Sequence, residues 1–168
     1  MRRIALLSDT HGYLDDAVLK YFEGCDEIWH GGDFGTMEVA DKLSAVKPFK
    51  GVYGNIDGTD IRVKFPENLF FEIEGMKFLI THIAGSPGKY NPRVKKLLTE
   101  LKPDVLICGH SHILKVLRDT AFNVMYMNPG AAGNEGFHKM KTLLRFSVEN
   151  GMLKDLEVVE LGMRGFLK

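Results

Sequence analysis

The sequence predicts an α/β fold in which two β-sheets pack face to face with helices outside. Three features predict it. Apolar runs such as residues 4–7 and 105–108 are continuous rather than alternating, as in strands buried on both faces. The first third of the chain reads strand, helix, strand, helix, strand, which implies right-handed crossovers and a parallel sheet. The final third is rich in short strands separated by turn residues.

The first run, Ile4-Ala5-Leu6-Leu7, breaks off into Ser8-Asp9-Thr10-His11-Gly12. Residues 15–22 then predict a short helix with Ala17, Val18 and Tyr21 on one side. Residues 27–30 form a second strand that runs into Gly31-Gly32-Asp33. A helix over 37–45 presents Met37, Ala40, Leu43 and Val46 to the core, and Pro48 ends it. A third strand, 49–53, closes in Gly54-Asn55-Ile56-Asp57-Gly58. Residues 69–73 and 77–81 flank Glu74-Gly75-Met76 as a hairpin, and the second of these strands runs into His82. Pro92 opens a helix to about Leu101 with Val94, Leu97, Leu98 and Leu101 at helical spacing, and Pro103 ends it. Strand 105–108 leads into Gly109-His110-Ser111-His112. Strands 114–117 and 124–127 follow, and then 143–148 and 153–159 around Asn150-Gly151, a type I′ turn signal.

At 168 residues the chain reads as one domain, 1–168, long enough to bury roughly 70% of its unfolded surface. Lys plus Arg and Asp plus Glu both number 22, so no global field draws an extended nucleic acid or an anionic membrane. A nucleotide bound at a local charge is compatible with that balance. Cys25 and Cys108 form no C-x-x-C, and reduced thiols in a cytoplasmic protein are expected. Cys108 reads as a small buried hydrophobe. The amino terminus runs directly into a strand, so no signal peptide is expected, and no apolar stretch approaches membrane-spanning length.

Five strand ends carry metal-ligand residue types: Asp9 with His11, Asp33, Asn55, His82, and His110 with His112. In extended geometry Asp9 and His11, two apart, point to one side. Imidazole and carboxylate without thiolate suit Zn, Mn, Fe or Ni and argue against a structural zinc site. Seven donors exceed one tetrahedral ion and suffice for two ions about 3.5–4 Å apart sharing a carboxylate. Asp33 is the natural bridge, standing alone with two oxygens. Such a pair acidifies a bridging water, neutralises a phosphate and stabilises in-line displacement.

In order, Asp9-x-His11, Gly32-Asp33, Gly54-Asn55-x-Asp57, Thr81-His82 and Gly109-His110-x-His112 resemble the motifs of the calcineurin-like metallophosphoesterases across nearly the whole chain. The short length and Asn128-Pro129-Gly130 are similar to the small phosphodiesterase subgroup related to the retromer scaffold subunit. The resemblance implies a four-layer α/β/β/α sandwich with the dimetal site at strand ends. It implies that Asp9, His11, Asp33 and His112 hold one ion, and that Asp33, Asn55, His82 and His110 hold the other. Asp33, Asn55 and His82 are the expected catalytic residues. Manganese is the foremost expected ion, with Ni, Fe or Zn as alternatives.

The implied activity is hydrolysis of a small phosphodiester, nucleotide-like substrates included, by a metal-bridging hydroxide. The alternative is a protein-interaction scaffold on the same fold. A phosphomonoesterase or protein phosphatase ranks last, because the chain leaves little room for recognising a protein. A homodimer is compatible with the subgroup. The chain departs from the family at Ile56, where many members have a His that contacts phosphate and protonates the leaving group. Loss of a positioned acid typically costs a factor of about 10²–10⁴, so good leaving groups are expected, and Asp57 is left to support its loop.

Other residues carry open readings. His30 is expected in the core or behind a ligand, and His138 on the surface. The loop 84–90 is a plain connection or one wall of a substrate pocket with Lys89 on a phosphate. Segment 128–133 is a turn or closes the other side of the site. Phe34 stacks on a base or packs internally. The tail 163–168 docks on its own domain or on a second subunit.

Overall fold

The computed structural model describes residues 1–165. Strands β1 (Arg2–Leu7), β2 (Glu27–His30) and β3 (Phe49–Gly51) pair in parallel, and β9 (Met140–Glu149) and β10 (Met152–Met163) extend the sheet antiparallel, in the order β10-β9-β1-β2-β3. The second sheet runs β4-β5-β6-β8-β7, from β4 (Asn68–Ile73), β5 (Met76–Thr81), β6 (Val105–Ile107), β7 (Leu114–Asp119) and β8 (Val124–Pro129). Within it β5, β6 and β8 are parallel.

Alternation along β1 explains its unbroken apolar run. Ile4 and Leu6 face the core between the sheets, with Trp29, Phe78, Ile107 and Phe146. Ala5 and Leu7 face the opposite layer, where Phe22, Val39, Leu43 and Ile61 cover the sheet. Those residues come from a 3-10 helix (Asp16–Phe22), α1 (Met37–Ser44) and α2 (Thr59–Lys64). On the far side α3 (Pro92–Leu101) lays Val94 and Leu98 on Leu79 and Leu106. The result is four layers, α/β/β/α.

Local chemistry explains the boundaries. Asn91 caps α3 by accepting the Val94 N–H at 2.9 Å, Pro92 opens it, and Lys102 ends it in a left-handed conformation. Asn150 and Gly151 both have positive φ, 51° and 72°, as a type I′ hairpin requires.

Two expectations are corrected. The short helix expected over 15–22 is a 3-10 helix over Asp16–Phe22 capped by Asp15, and Phe22, not Ala17, is buried with Val18. Helix α1 stops at Ser44, so Val46 lies beyond it and is exposed, while Val39 joins Ala40 and Leu43 in the core. The stretch after Gly58 contains α2. Its Thr, Ile and Val are poor helix formers, and Ile61 is its one buried side chain, so packing rather than propensity holds it. Among the described residues no helix is long and apolar enough to cross a membrane.

Candidate metal centre

The parallel strands β1, β2 and β3 of one sheet and β5 and β6 of the other deliver their carboxyl ends to one edge of the sandwich, where open α/β sheets place ligands. All seven sequence-predicted donors meet there. His112 Nε2 lies 3.1 Å from Asp9 Oδ1, and His11 Nε2 lies 3.8 Å from the same oxygen. His82 Nε2 is 3.1 Å from Asp33 Oδ2, and His11 Nε2 is 3.4 Å from it. His110 Nδ1 approaches Asn55 Oδ1 at 3.1 Å. Two triads have ligand atoms mutually within 4.8 Å: Asp9, His11 and His112, and Asp33, His82 and His110.

The backbone does not bring these residues together as an extended strand would. Asp9, His11, Asp33, His110 and His112 all adopt positive φ, between 47° and 71°. Strand β1 stops at Leu7, and sharp left-handed turns rather than strand alternation aim Asp9 and His11 at one point. Five such non-glycine residues in one cluster are held by their surroundings at a cost in local strain. The Asp9, His11 and Gly12 N–H groups donate to the carbonyls of Gly32, Asp33 and Phe34, which locks the first two loops together.

Each carboxylate keeps one oxygen for the loops and one for the site. Asp9 Oδ2 accepts Ser8 Oγ–H at 2.6 Å and the His110 N–H at 3.1 Å. Asp33 Oδ1 accepts the Ile56 N–H at 3.1 Å. Burial pushes the Asp9 carboxyl up, but His11, His112, His82 and Ser8 outweigh it and hold it well below the usual carboxylate range. Burial likewise opposes His11 and His82 at Asp33, and again the balance is downward. The Asp33 carboxylate, then that of Asp9, raises His11 to about 10 against burial.

The donor set fits divalent cations. Asp9 Oδ1, His11 Nε2 and His82 Nε2 are buried with no hydrogen-bond partner, and all three face the gap between the two carboxylates. Orphaned buried polar atoms are rare unless something else satisfies them. The far side of each imidazole is anchored. His82 Nδ1 donates to the Gly31 carbonyl at 2.7 Å, which turns Nε2 toward the site, and His11 Nδ1 faces Glu135 Oε2 at 3.3 Å.

Residues 1–151 match the calcineurin-like phosphoesterase superfamily domain. The chain belongs to that superfamily. It is 31% identical over 165 residues to a probable metallophosphoesterase of Mycoplasma pneumoniae, covering 93% of this chain and 96% of the relative. Among solved structures it superposes on an archaeal phosphodiesterase with a TM-score of 0.71, at 23% identity, over 95% of this chain and 99% of that one. It also superposes on Vps29 of Entamoeba histolytica complexed with Zn²⁺, with a TM-score of 0.73 at 16% identity, over 94% and 98% of the two chains. The structural likeness shows the shared fold, and membership of the superfamily implies divalent metals.

His30 is fully buried and stacks on Phe34, with ring centroids 3.9 Å apart. Its Nδ1 accepts the Gly32 N–H at 3.0 Å, which shapes the turn before Asp33. Phe34 packs internally, against His30 and Phe65. His138 is not a free surface residue: it bonds the Gly133 carbonyl at 2.8 Å and lies edge-on to His112. Gly136 sits so close that an added Cβ would lie 2.2 Å from His112 Nδ1. Distant contacts fold segment 134–138 over the site, so its polar composition suggested only a loop. Ala84, Gly85 and Ser86 line a cavity with His110, whereas Lys89 is exposed outside it. Asn128 is buried and donates to the Gly109 carbonyl and to Ser111 Oγ, both at 3.0 Å, so its side chain steadies the His110 turn. In the tail, Arg164 and Gly165 bond segment 134–138 of the same chain, and residues 166–168 lie outside the described residues.

Sequence reasoning missed Ser8 and Glu135. Ser8 adjoins Asp9 in sequence and was legible on that ground. Glu135 carried no local signal.

Proposed function

We propose that this chain is a two-metal phosphodiesterase acting on a small diester. The observation that carries the reading is the position of Asp33 Oδ2, within 3.4 Å of His11 Nε2 and 3.1 Å of His82 Nε2, between the two triads. Asp9, His11, Asp33 and His112 would form the first ligand set, and Asp33, Asn55, His82 and His110 would form the second. Asp33 would belong to both sets, with its Oδ1 held by the Ile56 N–H. When bound, the ions supply the nucleophilic water and the positive charge that cleavage of a phosphate ester requires.

The protein's own contribution is orientation and charge. Asp9 and Asp33 stay ionised, and His11 and His82 are held from behind. Asn55 and His110 stand at the exposed side, where a phosphate enters. Ile56 is exposed and has no proton to give, so the leaving group departs unassisted and diesters with good leaving groups are favoured. The reading takes residues 1–168 as one cytoplasmic domain and manganese as the first ion to test. The likeness to the archaeal phosphodiesterase supports it.

Hydrolysis of bis(p-nitrophenyl) phosphate against p-nitrophenyl phosphate tests the reading. Metal-stripped protein is assayed with Mn²⁺, Ni²⁺, Zn²⁺ or Mg²⁺ restored, beside an Asp33→Ala variant. Metal-dependent diester cleavage that vanishes in the variant is expected. No turnover despite two bound ions would favour a binding scaffold on this fold.

A further inference from the structure

A cavity of about 350 Å³ opens directly beside the proposed second ligand set, with Asn55 and His82 in its wall. Its other walls include Tyr53, Arg62, Glu67 and Arg93. We propose that this cavity is a subsite for a second phosphate, carried on one arm of the diester, and that Arg62 recognises it. The proposal rests on the diesterase reading above and adds to it the class of substrate: a diester bearing a further phosphate group.

The two arginines differ in what they have left to offer. Arg93 Nη2 donates to the Ile83 carbonyl at 2.8 Å, its Nη1 to Asn68 and Thr81, and its Nε lies 3.5 Å from the Glu67 carboxylate. Its donors and its charge are therefore spent on the protein. Arg62 is gripped differently. Its Nε donates to the Asp57 carbonyl at 2.7 Å and its Nη2 to the Asn55 carbonyl at 3.3 Å, while the guanidinium lies 4.6 Å over the Tyr53 ring. Carbonyls and an aromatic face orient a guanidinium without cancelling its charge. Among the described residues no carboxylate pairs with Arg62 and no group accepts from its Nη1.

A fixed, uncompensated cation is thus held on the two residues that flank Ile56, in the loop that carries Asn55. A planar guanidinium suits a phosphate, and its preorganised fork loses little freedom on binding. A second cavity of about 320 Å³ lies beyond His110, walled by Ala84, Gly85, Ile113 and Tyr126 with Lys115 also in its lining. A diester has two arms, and the two cavities provide a place for each. The Arg62 side takes the anionic arm, and the more apolar side takes the other.

The test compares ligands that differ by one phosphate. Metal-stripped protein is titrated calorimetrically with thymidine 3′,5′-bisphosphate and with thymidine 5′-phosphate. The bisphosphate is expected to bind about tenfold more tightly, as one charge-assisted contact allows, and Arg62→Gln is expected to abolish the difference. The metal-restored enzyme is then given the p-nitrophenyl ester of thymidine 5′-phosphate with and without a 3′-phosphate. The ratio of the two kcat/KM values within each protein cancels any general loss of activity in the variant. A wild-type ratio of about ten that falls toward one in Arg62→Gln supports the subsite. Equal treatment of the paired ligands by the wild type overturns it, and so does a preference that survives Arg62→Gln or is lost instead in Lys115→Gln. If neither ester is cleaved but the binding difference follows Arg62, the subsite stands and the diesterase reading falls.

Discussion

Asp57 Oδ2 accepts the Phe34 N–H at 3.2 Å across a separation of 23 residues, and so ties the loop of Asn55 to the loop of Asp33. The same oxygen accepts the Gly54 N–H at 2.8 Å, and Oδ1 accepts the Gly35 N–H at 2.9 Å. One buried carboxylate therefore satisfies three backbone donors in two metal-site loops. Asp57→Ala is expected to destabilise the fold by about 2–4 kcal/mol, since it strands buried N–H groups. Urea denaturation measures this, and a loss below about 0.5 kcal/mol would refute the role.

Gly54 packs on Asp33 without room for a methyl group. A Cβ there would lie 2.0 Å from Asp33 Oδ1 and 2.4 Å from its backbone nitrogen. The Gly54→Ala variant must displace Asp33 from its place between His11 and His82. Manganese affinity, read by titration, is expected to fall about 10–100-fold, the range seen when groups supporting a metal site are disturbed. Unchanged affinity would mean that the loop relaxes freely.

His30 sets a pH dependence. Complete burial pushes its pKa down to about 3 from the usual 6.5, outweighing the nearby carboxylates. Below pH 6.5 the unfolded chain takes up a proton at this residue and the folded chain does not. Stability is therefore lost as pH falls from about 6.5 toward 3, at up to about 1.4 kcal/mol per pH unit from this group. Unfolding of the wild type and His30→Asn at pH 7.5, 6 and 5 should show the shallower slope in the variant; parallel slopes would contradict the assignment.

Ile56 is 45% exposed, so a larger polar side chain fits there without repacking the core. In the wild type, a series of aryl phosphodiesters should show rates that depend steeply on leaving-group pKa. Ile56→His is expected to flatten that dependence and to speed the poorest leaving groups most, by up to about 10²-fold. A dependence that is already flat in the wild type would show that another group supplies the proton.

The sequence by itself determined the two sheets with helices outside and the seven residues that meet at one edge of them. Continuous apolar runs ending in Asp, His or Asn beside glycine are local patterns, because a buried strand must be apolar along its length and must turn where it meets a ligand. Asn150-Gly151 and Pro92 likewise marked their turn and helix start through their own backbone preferences. The tertiary structure alone decided the rest. The left-handed backbone of Asp9, His11, Asp33, His110 and His112 is imposed by neighbours, such as the His110 N–H that reaches Asp9 across 101 residues. Helix α2 exists because Ile61 finds the core, against its own propensities. Segment 134–138 closes on His11 and His112 because Arg164 and Gly165 hold it there, and Arg62 keeps an unspent charge because its nearest acceptors are carbonyls. Each of these depends on which residues meet in space, and spacing along the chain does not encode that.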